Sequence, residues 1–366
     1  MLSEDKEGKY FETLLVHLTD LNIVSTFHNK QLKYPSYVNK LITFLKGNEE
    51  AKILLKQLDA KGFTQVRADY DSNGWSCNTT PLIESASLGY VEIVRFLIET
   101  VNCKVDNTDA IGRSPLHKAS ERGHEHVVQL LLEKGASVLL RNKYGESPLY
   151  VACKGNHRVI IDMLLLKKAN VLVCTCSDKS PLYAACEGGY YDIAELLLNE
   201  NADVNQCNKA AESPLYVACV RGYTDIVKLL LDNNADVYQC NKERESPLYA
   251  ACEGGSQDTV RLLLENGADI FKRNIHGESA LYVACLLGYT DIVKLLLHTD
   301  IDINLCNNNR ESPLYMACVR GYTDIVELLL HKNANVHLCD CAGMSPLDVA
   351  RAEGHVDIYK LLELKS

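Results

Sequence analysis

Eight of the nine prolines in this 366-residue chain fall on one lattice: Pro81, Pro115, Pro148, Pro181, Pro214, Pro247, Pro313 and Pro346. The step is 33 residues, with 34 between Pro81 and Pro115 and a doubled step whose midpoint is Ala280. Only Pro35 stands off the lattice. A period of this length restricts the chain to a stack of supersecondary units. Each unit is too small to bury its own apolar face and is completed by its neighbours.

Each unit has a readable internal order. Ser or Thr precedes the proline, as at Thr80, Ser147, Ser213, Ser279 and Ser312, which gives a helix N-cap with proline at the first helical position, where no N–H is needed. A short apolar helix follows, as in Leu215-Tyr216-Val217-Ala218-Cys219, and glycine breaks it, as at Gly89, Gly222 and Gly354. Asn156 stands there in the third unit. A second helix runs Asp225-Ile226-Val227-Lys228-Leu229-Leu230-Leu231, with apolar residues at helical spacing. Gly135, Asn201, Asn234, Gly267 and Asn333 end these helices, and such residues accept a left-handed C-cap. Lys168 and Asp300 depart from that rule, so looser or differently built turns are expected there.

The 33-residue period, the Ser/Thr-Pro-Leu start, the mid-unit Gly, the Leu-Leu-Leu run and the Gly/Asn-Ala-Asp-Val close resemble the ankyrin repeat. The resemblance covers residues 75–366 in nine units: 75–108, 109–141, 142–174, 175–207, 208–240, 241–273, 274–306, 307–339 and 340–366. It implies an all-α solenoid of helix-turn-helix units with short β-hairpin-like fingers. The last unit has Asp348 where inner units carry Tyr and ends on Lys360, Glu363 and Lys365, which reads as a polar C-terminal cap. The heptapeptide Tyr183–Gly189 recurs as Tyr249–Gly255, and Gly222–Val227 recurs at Gly288 and Gly321. Such near-identity points to duplication and leaves specificity to the places that still differ.

Residues 1–70 lie off the lattice. Phe11–Leu18, Tyr37–Leu45 and Glu50–Leu58 read as amphipathic helices separated by Pro35 and Gly47, a small helical segment capping the first repeat. The competing reading is that the chain is the C-terminal recognition fragment of a larger multidomain signalling NTPase. This chain carries no Gly-x-x-x-x-Gly-Lys-Ser/Thr loop, so the catalytic domain would lie elsewhere.

A net charge of −10 disfavours nucleic acid as the main partner. No run approaches the ~18 apolar residues of a membrane span, and the N-terminus has no apolar leader core. Of fifteen cysteines, six share one lattice place: Cys153, Cys186, Cys219, Cys252, Cys285 and Cys318. Stacked units sit about 8–10 Å apart, beyond the ~7 Å reach of a disulfide between Cα atoms. Reduced, core-packed thiols are therefore expected, with a cytoplasmic setting and the nucleus as the second choice. The pairs Cys174/Cys176 and Cys339/Cys341 lie five units apart, too far for one zinc site.

Tyr150, Tyr183, Tyr216, Tyr249, Tyr282 and Tyr315 form a second ladder, in a place where the family usually has His, kept here only as His117. A structural role is expected of it. No nucleophile, base and orienter come together in the sequence. The reading is thus of a protein that is not an enzyme, with no cofactor, no metal and no small-molecule substrate.

The resemblance places partner docking on the fingers and first helices. Glu146, Glu212, Glu245, Glu278 and Glu311 recur as an acidic row at one fingertip place, where a solvated edge is the plain reading. Val220, Leu286, Leu287 and Val319 are apolar where solvent is expected, beside Arg221 and Arg320. Units five to eight are therefore expected to form the contact surface, using Val220, Arg221, Glu245, Glu253, Glu278, Leu286, Leu287, Glu311, Val319 and Arg320. The partner would be a peptide or domain of basic and apolar character, and the chain a scaffold or adaptor in signalling. The resemblance also marks Asn205 and Asn304 as acceptors for an oxygen-dependent asparaginyl hydroxylase.

Overall fold

The computed structural model describes residues 81–89, 91–99 and 103–365, apart from a few side chains in the first two helices. The N-terminal segment 1–70 and the start of the first repeat, including the Thr80 cap, lie outside the described residues. Eighteen helices are present among the described residues, with no strand longer than an isolated antiparallel bridge between Arg273 and Ser279. They fall into two compact units, one ending at Cys176 and the other running Ser177–Ser366.

The first unit holds α1 (Pro81–Ser87), α2 (Val91–Glu99), α3 (Pro115–Arg122), α4 (Glu125–Glu133), α5 (Pro148–Lys154) and α6 (Arg158–Leu166). The second holds α7 (Pro181–Gly188), α8 (Tyr191–Asn199), α9 (Pro214–Arg221), α10 (Thr224–Asp232), α11 (Pro247–Glu253) and α12 (Gln257–Glu265). It continues with α13 (Ala280–Leu287), α14 (Thr290–Leu296), α15 (Pro313–Arg320), α16 (Thr323–His331), α17 (Pro346–Ala352) and α18 (Val356–Glu363). In each unit the odd-numbered helices pack on one another in one layer. The even-numbered helices form a second, more loosely joined layer.

One repeat shows why. Ser213 is extended, and its hydroxyl accepts the Tyr216 N–H at 3.1 Å, satisfying one orphan donor of α9 while Pro214 starts the helix. Leu215, Ala218 and Cys219 are buried, and Gly222 stops the helix at φ 69°. After α10, Asn234 takes φ 64°, the Ala235 N–H donates to Leu230 O at 2.9 Å and the Asn234 N–H to Leu231 O at 3.0 Å. This is a Schellman close. Full burial of one leucine such as Leu230 stabilises by about 1.5–3 kcal/mol, and each repeat supplies several.

Lys168 corrects the expectation of a looser turn. It sits at φ 63° and closes α6 as the others do, with Ala169 N–H donating to Leu164 O at 3.0 Å. Tertiary packing overrides the side chain's reluctance to enter the left-handed region. Asp300 is in a different case. There α14 stops early, and the Leu296 carbonyl is taken by the Thr299 backbone N–H at 3.0 Å and hydroxyl at 2.7 Å.

Successive repeats interlock through rings. Tyr223 covers Gly189, Tyr289 covers Gly255 and Tyr322 covers Gly288, so closely that a Cβ on Gly288 would stand 2.7 Å from the Tyr322 ring. His124, His157 and His355 stand at the same place, each with Nε2 at 2.9–3.3 Å from a carbonyl of the preceding repeat's first helix. The described cysteines are all free thiols, and the six of the ladder are buried in the first-helix layer, where loss of water pushes their ionisation up, to about 12 for Cys318.

Candidate functional site

Finger geometry begins at one residue, six before the proline place. Asn208 is an example: its Oδ1 accepts the N–H groups of Ala210 at 2.8 Å and Glu212 at 3.0 Å, pinning the tight loop. Asn142, Asn274 and Asn307 do the same in their repeats. Adjacent fingers are joined by single backbone bonds, such as Lys242 N–H to Ala210 O and Ile275 N–H to Glu243 O, at 2.9 and 2.8 Å.

The amide of each such asparagine also holds the fingertip glutamate, and in repeats five to eight the tyrosine of the preceding repeat reaches the same carboxylate. Tyr216 Oη donates to Glu245 Oε2 at 2.6 Å while Asn241 Nδ2 donates to it at 2.6 Å. Tyr249 and Asn274 hold Glu278, and Tyr282 and Asn307 hold Glu311, at 2.7–3.2 Å. Tyr183 and Asn208 likewise hold Glu212. Burial, followed by the facing carboxylate, pushes each of these phenols up out of the range where it could ionise. The acidic row is thus half-buried, with one oxygen of each carboxylate committed to its own scaffold.

Tyr315 makes the last bond of this kind to Asp340, and its phenol is pushed up to about 12, first by burial. In the first unit His117 replaces Tyr. Its Nδ1 accepts from the Ser114 N–H at 3.2 Å, so Nε2 carries the proton and donates to Glu146 O at 3.1 Å. Burial lowers its pKa.

The residues six and seven after the proline place end the first helices. Val220, Leu286 and Val319 are half-buried; Leu287 is 40% exposed; Arg221, Glu253 and Arg320 are exposed. At the same place Glu121 is ion-paired to Lys118 and Glu187 to Lys179. Glu253 has neither hydrogen bond nor ion pair among the described residues. Partial loss of water, then Glu245 and Glu278, holds its carboxyl above the ordinary range.

Asn205 and Asn304 are half-buried in the loops after α8 and α14. Their Oδ1 atoms accept the backbone N–H of Asp236 and of Asn335, both at 2.8 Å, tying each loop to the next repeat. The lattice repeats of this place include Leu139 and Leu172 in the first unit and Tyr238 and Phe271 in the second, all more than half exposed. These large apolar side chains escaped the sequence reading, although the 33-residue spacing could have aligned them with the asparagines.

A cavity of about 350 Å³ in the first unit is lined by Ile111, His117, Tyr144, Glu146 and Lys154 among others, next to the Arg113–Asp109 ion pair at 2.7 Å. Among the described residues no three His, Cys, Asp or Glu side chains gather as a metal site would need. No described helix is long and apolar enough to cross a membrane.

Paired short helices, left-handed closes and linked fingers define a repeat-built interaction module. The family model for ankyrin repeats in three copies matches residues 41–142, 101–173, 138–208, 161–240, 215–307 and 281–365, and the chain belongs to the ankyrin repeat family. It is similar to BTB/POZ domain-containing protein 3 of Schizosaccharomyces pombe, 34% identical over 96 residues, 25% of this chain and 18% of that one. It is also similar to 26S proteasome non-ATPase regulatory subunit 10 of Dictyostelium discoideum, 39% identical over 57 residues, 16% of this chain and 25% of that one. The human BCL-6 corepressor is 42% identical over 59 residues, 16% of this chain and 3% of that one. The aligned region spans a quarter or less of each of these relatives. Members of this family bind proteins, and that much holds for this chain.

Proposed function

We propose that the chain is a non-catalytic scaffold or adaptor that works in the cytoplasm and grips its partner on repeats five to eight. The supporting observation is the change at the sixth residue after the proline place. It is a charge in Glu121, Lys154 and Glu187, ion-paired in the first and third, then Val220, Glu253, Leu286 and Val319 in succession, three apolar side chains and one carboxylate unpaired among the described residues. Arg221, Leu287 and Arg320 flank this row, and Glu245, Glu278 and Glu311 border it on the finger side. An apolar strip with arginines and an acidic border suits a peptide or domain of basic and apolar character.

The test is a full-length Leu286→Glu/Val319→Glu variant, both at half-exposed places, compared with wild type by partner capture and by melting. Loss of capture with an unchanged melt is expected. Capture equal to wild type would move the contact surface elsewhere.

Asn205 and Asn304 are proposed as hydroxylation acceptors, supported by their half-exposed loops. Peptide mass spectrometry of protein from native cells should find one added oxygen on each, and unmodified asparagine at both would dismiss the proposal.

A further inference from the structure

The chemistry of the segment that fills the groove can be inferred by comparing two repeats, given the reading of repeats five to eight as the contact surface. Repeats four and six share the heptapeptide Tyr183–Gly189 and Tyr249–Gly255. In repeat four, Lys179, two before the proline, lays its ammonium on both oxygens of Glu187 at 2.9 and 3.2 Å. The same ammonium lies 4.9 Å from the centre of the Tyr183 ring. In repeat six the ring and the carboxylate recur as Tyr249 and Glu253, but Glu245 stands where the lysine was. Glu245 is turned to Tyr216 and Asn241. Glu253 is left exposed and without a partner among the described residues. The molecule itself shows what completes such a pair, a primary ammonium, and repeat six has Glu245 rather than a lysine at the place that supplies it.

The neighbours set the spacing. Val220, Glu253, Leu286 and Val319 hold equivalent places on α9, α11, α13 and α15, helices that pack side by side. Packed helices lie about 8–10 Å apart. A polyproline II segment turns once in three residues and advances about 3.1 Å per residue, or roughly 9.3 Å per turn, so every third side chain faces the same way and meets the next repeat in step. A β-strand would put residues three apart on opposite faces, and an α-helix, rising about 5.4 Å per turn, would meet successive repeats only at every second turn.

We propose that repeats five to eight bind a polyproline II segment of the pattern apolar-x-x-Lys-x-x-apolar-x-x-apolar. Its lysine meets Glu253 beside Tyr249, and its apolar residues meet Val220, Leu286 and Val319. The acidic border at Glu245 and Glu278 adds long-range attraction for the same cation.

The probe is a fluorescein-labelled peptide, Leu-Pro-Pro-Lys-Pro-Pro-Leu-Pro-Pro-Val, and its reverse sequence, titrated by anisotropy against the full chain. Parallel peptides carry norleucine or Glu in place of Lys. One direction of the lysine peptide is expected to bind at least about tenfold tighter than its norleucine counterpart. Glu253→Lys, and the milder Glu253→Gln, should abolish that preference with melts no lower than wild type, and Glu253→Lys should prefer the glutamate peptide. Equal affinity for lysine and norleucine peptides, a preference that survives Glu253→Lys, or binding of neither direction would each overturn the proposal. If the lysine preference fails while Leu286→Glu/Val319→Glu still abolishes partner capture, the groove reading stands without this one. If that double variant also leaves capture intact, both fall.

Discussion

At the residue scale, the fingertip place three before each proline requires a positive φ in repeat after repeat, and only some repeats supply glycine for it. Asp178, Ala211, Arg244 and Arg310 sit at φ 59–64°, where Gly145, Gly277 and Gly343 serve elsewhere. A side chain in the left-handed region costs roughly 1–2 kcal/mol. Arg244→Gly and Ala211→Gly should therefore stabilise the protein by about 0.5–1 kcal/mol each after glycine's extra chain entropy is deducted, read as a higher midpoint in urea titration.

Ser120 is a second place where one residue works against the fold. It is fully buried where the cysteine ladder would continue, and its hydroxyl has no hydrogen-bond partner. Ser120→Cys should gain about 1 kcal/mol by removing an unsatisfied donor, measured the same way.

His117 gives the first unit a pH response. Its pKa is lowered by burial from the ordinary value of 6.5, so below that pH the unfolded chain takes up a proton that the fold resists. Stability should fall as pH drops below about 6.5, and His117→Tyr should remove that dependence in melts at successive pH values.

At the element scale, the coupling between repeats runs through the tyrosine–glutamate–asparagine set as well as through apolar packing. The hydroxyls of Tyr183, Tyr216, Tyr249 and Tyr282 each reach a carboxylate 29 residues on, so loss of one weakens a seam between repeats as well as a single helix. Tyr249→Phe should cost about 1–2 kcal/mol, as a hydrogen bond to a half-buried charged acceptor. In combination with Glu278→Gln the two losses should be less than additive. Strict additivity in urea titration would show that the bond is energetically idle. Glu253 works in the opposite sense. Its raised pKa means that ionisation opposes folding as pH rises through the carboxyl range. Glu253→Gln should therefore stabilise the protein at neutral pH and make no difference in strong acid.

At the scale of the whole molecule, repeats answer mainly to their neighbours, and perturbations should fade along the array. Leu263 is fully buried in α12. Leu263→Ala, at a cost of about 2–5 kcal/mol, should raise amide exchange in repeats five to seven well before repeat nine. A uniform rise across Ser177–Ser366 would indicate one all-or-none unit.

What is legible in the sequence depends on the range of each interaction. The lattice, the Ser-Pro helix starts and the glycine stops are local, so periodicity alone determined the fold class and the helix order. The buried cysteine ladder followed from its lattice place. The departures at Lys168 and Asp300 looked alike in sequence and separated only in the fold, because packing drove Lys168 into the left-handed close and a threonine hydroxyl offered Asp300's turn another route. The fingertip acids looked like one solvated row. The structure turned one oxygen of each inward, because an asparagine of the same finger and, for Glu212, Glu245, Glu278 and Glu311, a tyrosine of the preceding repeat converge there. Single-residue spacing cannot show such a convergence across 29 residues. The sequence by itself determined a stack of ankyrin repeats and the few places where they differ. Only tertiary structure decided which charges are spent within the scaffold and which, like Glu253, have no partner among the described residues, since pairing depends on what stacking brings within about 3 Å.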